Sequence, residues 1–266
     1  MSETRVNIER RDHVAVVTLA RPEKRNALDS AMFQALDEAA RTLSADPELR
    51  AVVLAGEGKS FCAGLDLMSF ASGAAEMRKL LDRPEGEEAN LAQRVGWAWR
   101  RCPVPVIAAL HGEVFGGGLQ VALGADIRIA RPDAHLSVME VRWGLIPDMA
   151  GSQTLRNLVR RDVALELAWT GRVMPGEEAA ALGLVTRLAE DPHAEALALA
   201  EHIAAHSPDA VRGVKRLFNE AWACSAEEAL RLEEQLQLQI IGRPNQAEAV
   251  RAGMAGETPR FGPARV

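Results

Sequence analysis

The chain alternates short apolar runs with segments of helical period. "VAVVTLA" (14–20), "AVVLAG" (51–56), "VPVIAALHG" (104–112) and "ADIRIA" (125–130) are rich in Val and Ile and end at turn residues, the pattern of buried strands. Between the first two, Leu28, Met32, Leu36, Ala39 and Leu43 fall on one stripe of a helix, with Asp29 or Ser30 to cap it. This alternation predicts an α/β fold around a buried sheet. From about residue 190 the period turns helical, over 197–205, 211–222 and 226–241, with Pro208 and Pro244 as punctuation. The chain therefore divides into a core of residues 1–190 and a helical C-terminal region of residues 191–266. Residues 69–95 carry glycines and charges with little period at their centre and are expected to form a mobile flap.

Composition narrows the classes. A chain of 266 residues, 48% hydrophobic and 26% charged, can bury a sizeable core, which excludes disorder. A net charge of -6 argues against broad nucleic-acid binding. The first twenty residues place charges where a signal peptide needs an apolar stretch, and no apolar run has the length of a membrane span. A cytoplasmic protein without membrane or nucleic-acid partners is the expectation. Cys62, Cys102 and Cys224 have neither metal-ligand spacing nor an even count, so reduced thiols and no metal are expected, with Cys62 a small buried filler.

The chemistry begins at "VFGGGLQVALGAD" (114–126), where Gly116, Gly117 and Gly118 open an apolar helix that each of them weakens. Familiar glycine signatures fail here. "GEGKS" (56–60) has Val53 where a P-loop needs glycine, and Phe61 and Val121 break the dinucleotide fingerprint. No H-E-x-x-H or G-x-S-x-G is present. What remains is a strand that passes through glycines into a helix over about 118–125, which directs unpaired N–H groups at an anion. "KSFCAGLDLMSF" (59–70) has the same form: a tight Ala63-Gly64 turn, then a helix expected near Leu65. Side by side, two such turns would supply two backbone donors to one developing negative oxygen.

"SFCAGLDL", "HGEVFGGGLQVALGADIRIA" and "MEVRWGLIPDMAG", with "RPEKRNAL" near the start and "TPRFGP" near the end, resemble in order and spacing the crotonase (enoyl-CoA hydratase/isomerase) superfamily. The resemblance implies a spiral of ββα units followed by helices that assemble trimers or hexamers. It implies an acyl-CoA thioester substrate, with coenzyme A part of the substrate and no separate cofactor. Its oxyanion donors would be the N–H groups of Leu65 and Gly117. The coenzyme A contacts would come from Lys24 and Arg25, in a basic cluster with Arg21, and from Ala63 and Asp66.

Proton transfer needs carboxylates beside that hole. The family's two-glutamate hydratases carry one acid where this chain has Gln120, an amide that cannot trade protons near neutral pH. Glu140 matches the other. Eight residues on stands Asp148, and Gly144 and Pro147 let the chain turn back between them. This Glu/Asp pair resembles the dienoyl-CoA isomerase branch, although that branch also has an acid at position 120. The reading is an isomerase in which one carboxylate removes a proton and the other returns one at a more distant carbon. Trp143, between the two, is placed along the acyl channel. Without the family, Asp148 serves equally as a cap, Trp143 as core packing, the basic cluster as a solvated loop, and Glu113 and His111 as structural groups. Enoyl-CoA hydration and noncatalytic acyl-CoA binding are the alternatives. No serine has the setting of a peptidase nucleophile.

Overall fold

A computed structural model describes residues 4–69 and 74–265. The sheet begins with a strand that hydrophobic patterning does not reveal. β1 (Val6–Arg11) is almost wholly exposed and pairs antiparallel with β2 (Val14–Leu19) across a turn in which Asp12 takes a φ of 49°. As an edge strand it needs no apolar face, so its polar sequence carries no strand signal. β3 (Ala51–Gly56), β4 (Val106–Leu110), β5 (Glu113–Phe115), β6 (Ile127–Ala130), β7 (His135–Ser137), β8 (Met174–Pro175) and β9 (Arg187–Leu188) follow. Six of these strands form one sheet in the order β1-β2-β3-β4-β6-β9, parallel from β2 onward, and β5-β7-β8 form a second.

Alternate residues of the large sheet feed two cores. Val14, Val16, Val53, Ile107 and Ile129 face a helix, while Val17, Leu19, Leu54 and Leu110 face the larger core. In that larger core lie α1 (Ser30–Ser44), capped by the Asp29 carboxylate through the Met32 N–H at 2.8 Å, then α2 (Ala74–Leu81) and α3 (Leu91–Arg101). α4 (Gly117–Leu123), α5 (Gly151–Leu155), α6 (Arg161–Thr170) and α7 (Gly176–Leu182) continue the winding. α8 (Pro192–Ala204) closes the other face of the sheet with Ala196, Ala200 and Ala204, small residues at a spacing of four that let the helix lie close.

The segment expected as a flap is partly helical. α2 and the start of α3 lie within 69–95, and Asn90 and Gln93 fix the entry to α3 by reciprocal side-chain to backbone bonds. The break between these short helices, rich in Pro, Gly and Glu, hides their period; residues 70–73 lie outside the described residues. C-terminally come α9 (Pro208–Ala221), α10 (Ala226–Ile240) and α11 (Pro244–Ala255). Pro244 opens α11, where its fixed φ and missing N–H cost nothing, rather than marking an end. Lys215 latches α9 to the core: its buried Nζ donates to the carbonyls of Trp99 and Val104 and meets Asp126 at 2.7 Å.

Candidate active site

β3 and β4 are parallel neighbours, so the loops that leave their C-terminal ends emerge at the same edge of the sheet. The loop after β3 then runs beside β5: Phe61 N–H donates to His111 O, Cys62 N–H to Glu113 O and Phe115 N–H to Cys62 O, all within 3.1 Å. This is how two glycine turns about fifty residues apart meet. Gly64 sits at φ 91°, and a β-carbon there would lie 2.7 Å from Phe115 O and 3.7 Å from the Gly117 nitrogen. The glycine triplet has separate causes. Gly116 turns the chain at φ 49°, and a β-carbon on Gly118 would stand 2.5 Å from Cys62 O.

Leu65 is held from one side only. Leu28 N–H donates to Gly64 O and Asp66 N–H to Leu28 O, a parallel bridge that uses the Gly64 carbonyl and the Asp66 N–H and leaves the Leu65 N–H unengaged. Among the described residues, neither the Leu65 N–H nor the Gly117 N–H has a hydrogen-bond acceptor. Both residues line one cavity of about 380 Å³, which Gln120, Glu140 and Asp148 also line. Its apolar wall includes Phe33 of α1 and Met77, Leu80 and Leu81 of α2. The helix expected to begin near Leu65 is not formed over the described residues; a turn follows, closed by the Asp66 carboxylate on the Ser69 N–H and hydroxyl.

Glu140 opens a short 3-10 helix, Glu140–Trp143, and is the one buried residue in it, 8% exposed. Its Oε1 accepts from Gln120 Nε2 at 2.5 Å, and its Oε2 is buried without a partner. Burial pushes the Glu140 carboxyl above its ordinary pKa, against the opposing bond from Gln120, and the nearby Asp148 charge adds to the rise. Gly144, at φ 68°, ends the helix, and Asp148 N–H turns back onto Ile146 O, which brings the second carboxylate to the cavity. Partial burial raises the Asp148 carboxyl too. Trp143, expected along the acyl channel, stands 58% exposed and outside the cavity wall, because the 3-10 helix runs outward and burial stops at its first residue.

Gln120 is not a free pocket group. Its Oε1 accepts from Met149 N–H at 2.9 Å and Gly151 N–H at 3.0 Å while its amide nitrogen holds Glu140. Lys24 and Arg25 are exposed and do not line the cavity, and Arg25 pairs with Glu113, whose other oxygen takes the Ser60 hydroxyl. Ala63 N–H donates to Arg25 O at 2.9 Å. Asp66, expected to face coenzyme A, is bound at 2.7 Å by the buried Arg21; although partial burial opposes it, the bonds from Ser69 and Arg21 hold its pKa at about 2. His111 bonds Gly58 O. Sequence reasoning passed over Asn26. Fully buried at φ 56°, it donates to the Glu57 and Ser60 carbonyls at 2.9 and 2.8 Å and so ties the loop of residues 21–28 to the chain below Leu65. Its signal was residue type, since Asn tolerates the left-handed region and bonds nearby backbone. Among the described residues, no group of three or more His, Cys, Asp or Glu side chains could hold a metal ion, and no helix is long and apolar enough to cross a membrane.

Comparison with known proteins places this geometry. The family model for enoyl-CoA hydratase/isomerase matches residues 9–259. The mitochondrial Delta(3,5)-Delta(2,4)-dienoyl-CoA isomerase of Mus musculus is 38% identical over 76% of this chain, which spans 64% of that enzyme's length, less than two thirds. Enoyl-CoA hydratase EchA19 of Mycobacterium tuberculosis is 32% identical over 96% of this chain and 95% of its own. A crystal structure of enoyl-CoA hydratase from Mycobacterium tuberculosis superposes with a TM-score of 0.86 at 32% identity, covering 98% of this chain and 99% of that one. A sheet of mostly parallel strands, a second small sheet, C-terminal helices and two facing glycine turns thus constitute the crotonase fold, and the chain belongs to the enoyl-CoA hydratase/isomerase family.

Proposed function

We propose that this enzyme is an isomerase that shifts double bonds along the acyl chain of an enoyl- or dienoyl-CoA. The observation that carries the reading is the content of one cavity: two unengaged main-chain amides, Leu65 and Gly117, and two carboxyls, Glu140 and Asp148, with an amide at Gln120 in place of a further acid. In the reaction, one carboxylate removes a proton from the unsaturated chain and the C–H electron pair moves through the conjugated system onto the thioester oxygen. The two N–H groups stabilise that charge without reorganising, a contribution of about 2.7–4 kcal/mol per donor in comparable sites. The other carboxyl then protonates a more distant carbon as the electron pair returns, so atoms balance with no water consumed. Burial raises the pKa of both carboxyls, the direction that eases the protonated form each must take in turn. Enolate charge and protons are all handled by the chain, so the proposed chemistry requires no cofactor beyond the coenzyme A of the substrate.

In this reading Lys24 and Arg25 meet the coenzyme A phosphates, Arg25 exchanging Glu113 for phosphate, while Ala63 and Asp66 shape the loop that borders it. A second reading, hydration of an enoyl-CoA, draws support from relatives named as hydratases along nearly the whole chain. Exposed Trp169, Trp222 and Leu238 support assembly into a trimer or hexamer, and the proposed place of action is the cytoplasm.

Purified protein assayed with 2-enoyl, 3-enoyl and 3,5-dienoyl thioesters tests the reading. Isomerised product without a 3-hydroxyacyl species is expected, and Glu140→Gln and Asp148→Asn should each lower kcat by roughly 10²- to 10⁴-fold. A 3-hydroxyacyl-CoA product selects the hydratase reading. Unchanged rates in both variants, or tight thioester binding without turnover, removes the proton shuttle.

A further inference from the structure

Three neighbours of the Gln120 side chain belong to the two carboxyl-bearing segments. α4 begins at Gly117, so Gln120 lies one turn in and buried, 2% exposed, and crosses the floor of the cavity. Because Met149 and Gly151 both donate backbone N–H to one atom, that atom must be the amide oxygen, and the nitrogen must face Glu140. Reversing the amide would aim two buried N–H groups at an NH₂. Gly151 makes the approach feasible: a β-carbon there would come within 2.7 Å of Gln120 Oε1. Met149 directly follows Asp148, so the same oxygen pins the backbone that carries the second carboxylate.

We infer, on the basis of the proton-shuttle reading above, that Gln120 is a positioning residue that holds the Glu140 carboxyl and the backbone beside Asp148 in fixed relation. Oε1 is engaged by Gln120 and Oε2 is buried without a partner, so among the described residues the Gln120 amide is the side-chain group that orients this carboxyl. A glutamate at this position would keep an acceptor for the Met149 and Gly151 amides. It would also press a second carboxylate on Glu140, and like charges at that distance raise the pKa of one of them. The amide adds no such charge.

The test uses the full-length enzyme with Gln120→Met and Gln120→Glu, assayed with 3,5-dienoyl-CoA over a pH range. Gln120→Met removes all three hydrogen bonds at similar side-chain length, and kcat should fall about 10- to 10²-fold with little change in KM, because the Leu65 and Gly117 amides are untouched. Glu140 loses its donor in Gln120→Met and gains a like charge beside it in Gln120→Glu, so in both the acid limb of the kcat profile should move to higher pH, a readout that loss of packing alone would not shift. Gln120→Glu retains the acceptor that holds residues 149–151, so it decides the matter should Gln120→Met fail to fold. Wild-type kcat and an unmoved acid limb in the folded variants overturn the inference. Should that happen while Glu140→Gln remains inactive, the positioning role alone falls; an active Glu140→Gln brings down the shuttle itself.

Discussion

Asp66 shows how a carboxylate can be held by partners of its own chain. Its carboxylate is taken by Arg21 at 2.7 Å and by the Ser69 hydroxyl at 2.7 Å, and both partners belong to the chain. The result is a clamp that fixes the turn immediately after Leu65. With a folded pKa of about 2 against an ordinary 3.8, the carboxyl binds its proton later in the native state than in the unfolded one. Its stabilisation is therefore present above pH 4 and is lost as pH falls through about 2. Asp66→Asn should lower the melting temperature at pH 7, and the deficit should shrink between about pH 4 and pH 2, measured by thermal unfolding across that window. A deficit that stays constant with pH would mean that the carboxylate charge is not what holds the turn. Glu140 and Asp148 follow the opposite sign, each giving its greatest stabilisation while protonated, which is the usual mark of groups kept for proton transfer.

At the level of elements, the proposed oxyanion site depends on the contact between the two glycine turns. Gly118→Ala places a methyl group 2.5 Å from the Cys62 backbone carbonyl, and the turns must part. Loss of an oxyanion donor costs about 10²- to 10³-fold in kcat in comparable enzymes, and a fall of that size is expected. Gly253→Ala in α11 is the matched comparison: nothing lies within 4 Å of its added carbon, so activity should be unchanged and stability higher by about 0.5–1 kcal/mol. Equal kcat for both variants would show that the contact is dispensable. These same turns were legible in the sequence because glycine announces positions that tolerate no side chain, and the buried parallel strands were legible as continuous Val and Ile runs. β1 escaped because an exposed edge carries no apolar period, and α11 because Pro244 reads as a stop when it is a start. Gln120 could be placed at the pocket from its spacing after Gly117. Its three hydrogen bonds could not, since two of them depend on how the chain returns from Gly144 through Ala150, which takes a φ of 68°.

Across the whole molecule, buried ionic groups tie distant segments to the sheet. Lys215 joins α9 to Asp126 beside β6, and Arg50 reaches both the Ala204 carbonyl at the end of α8 and the Phe261 carbonyl in the tail. Such groups resist removal because a lone buried charge is costly. The packing that makes these joints also sorts the thiols. Cys62, whose Sγ lies 3.0 Å from the Asn26 carbonyl, is pushed by burial to about 12, and Cys102 is likewise enclosed, whereas Cys224 lies exposed between α9 and α10. A maleimide dye should therefore couple once per native chain, at Cys224, and three times after denaturation, as intact-mass spectrometry would count. More than one adduct on the native chain would mean that the interior opens on the timescale of labelling. The natural sequence thus offers a single chemical handle on its surface, so a fluorophore or tether can be attached there without first replacing any cysteine.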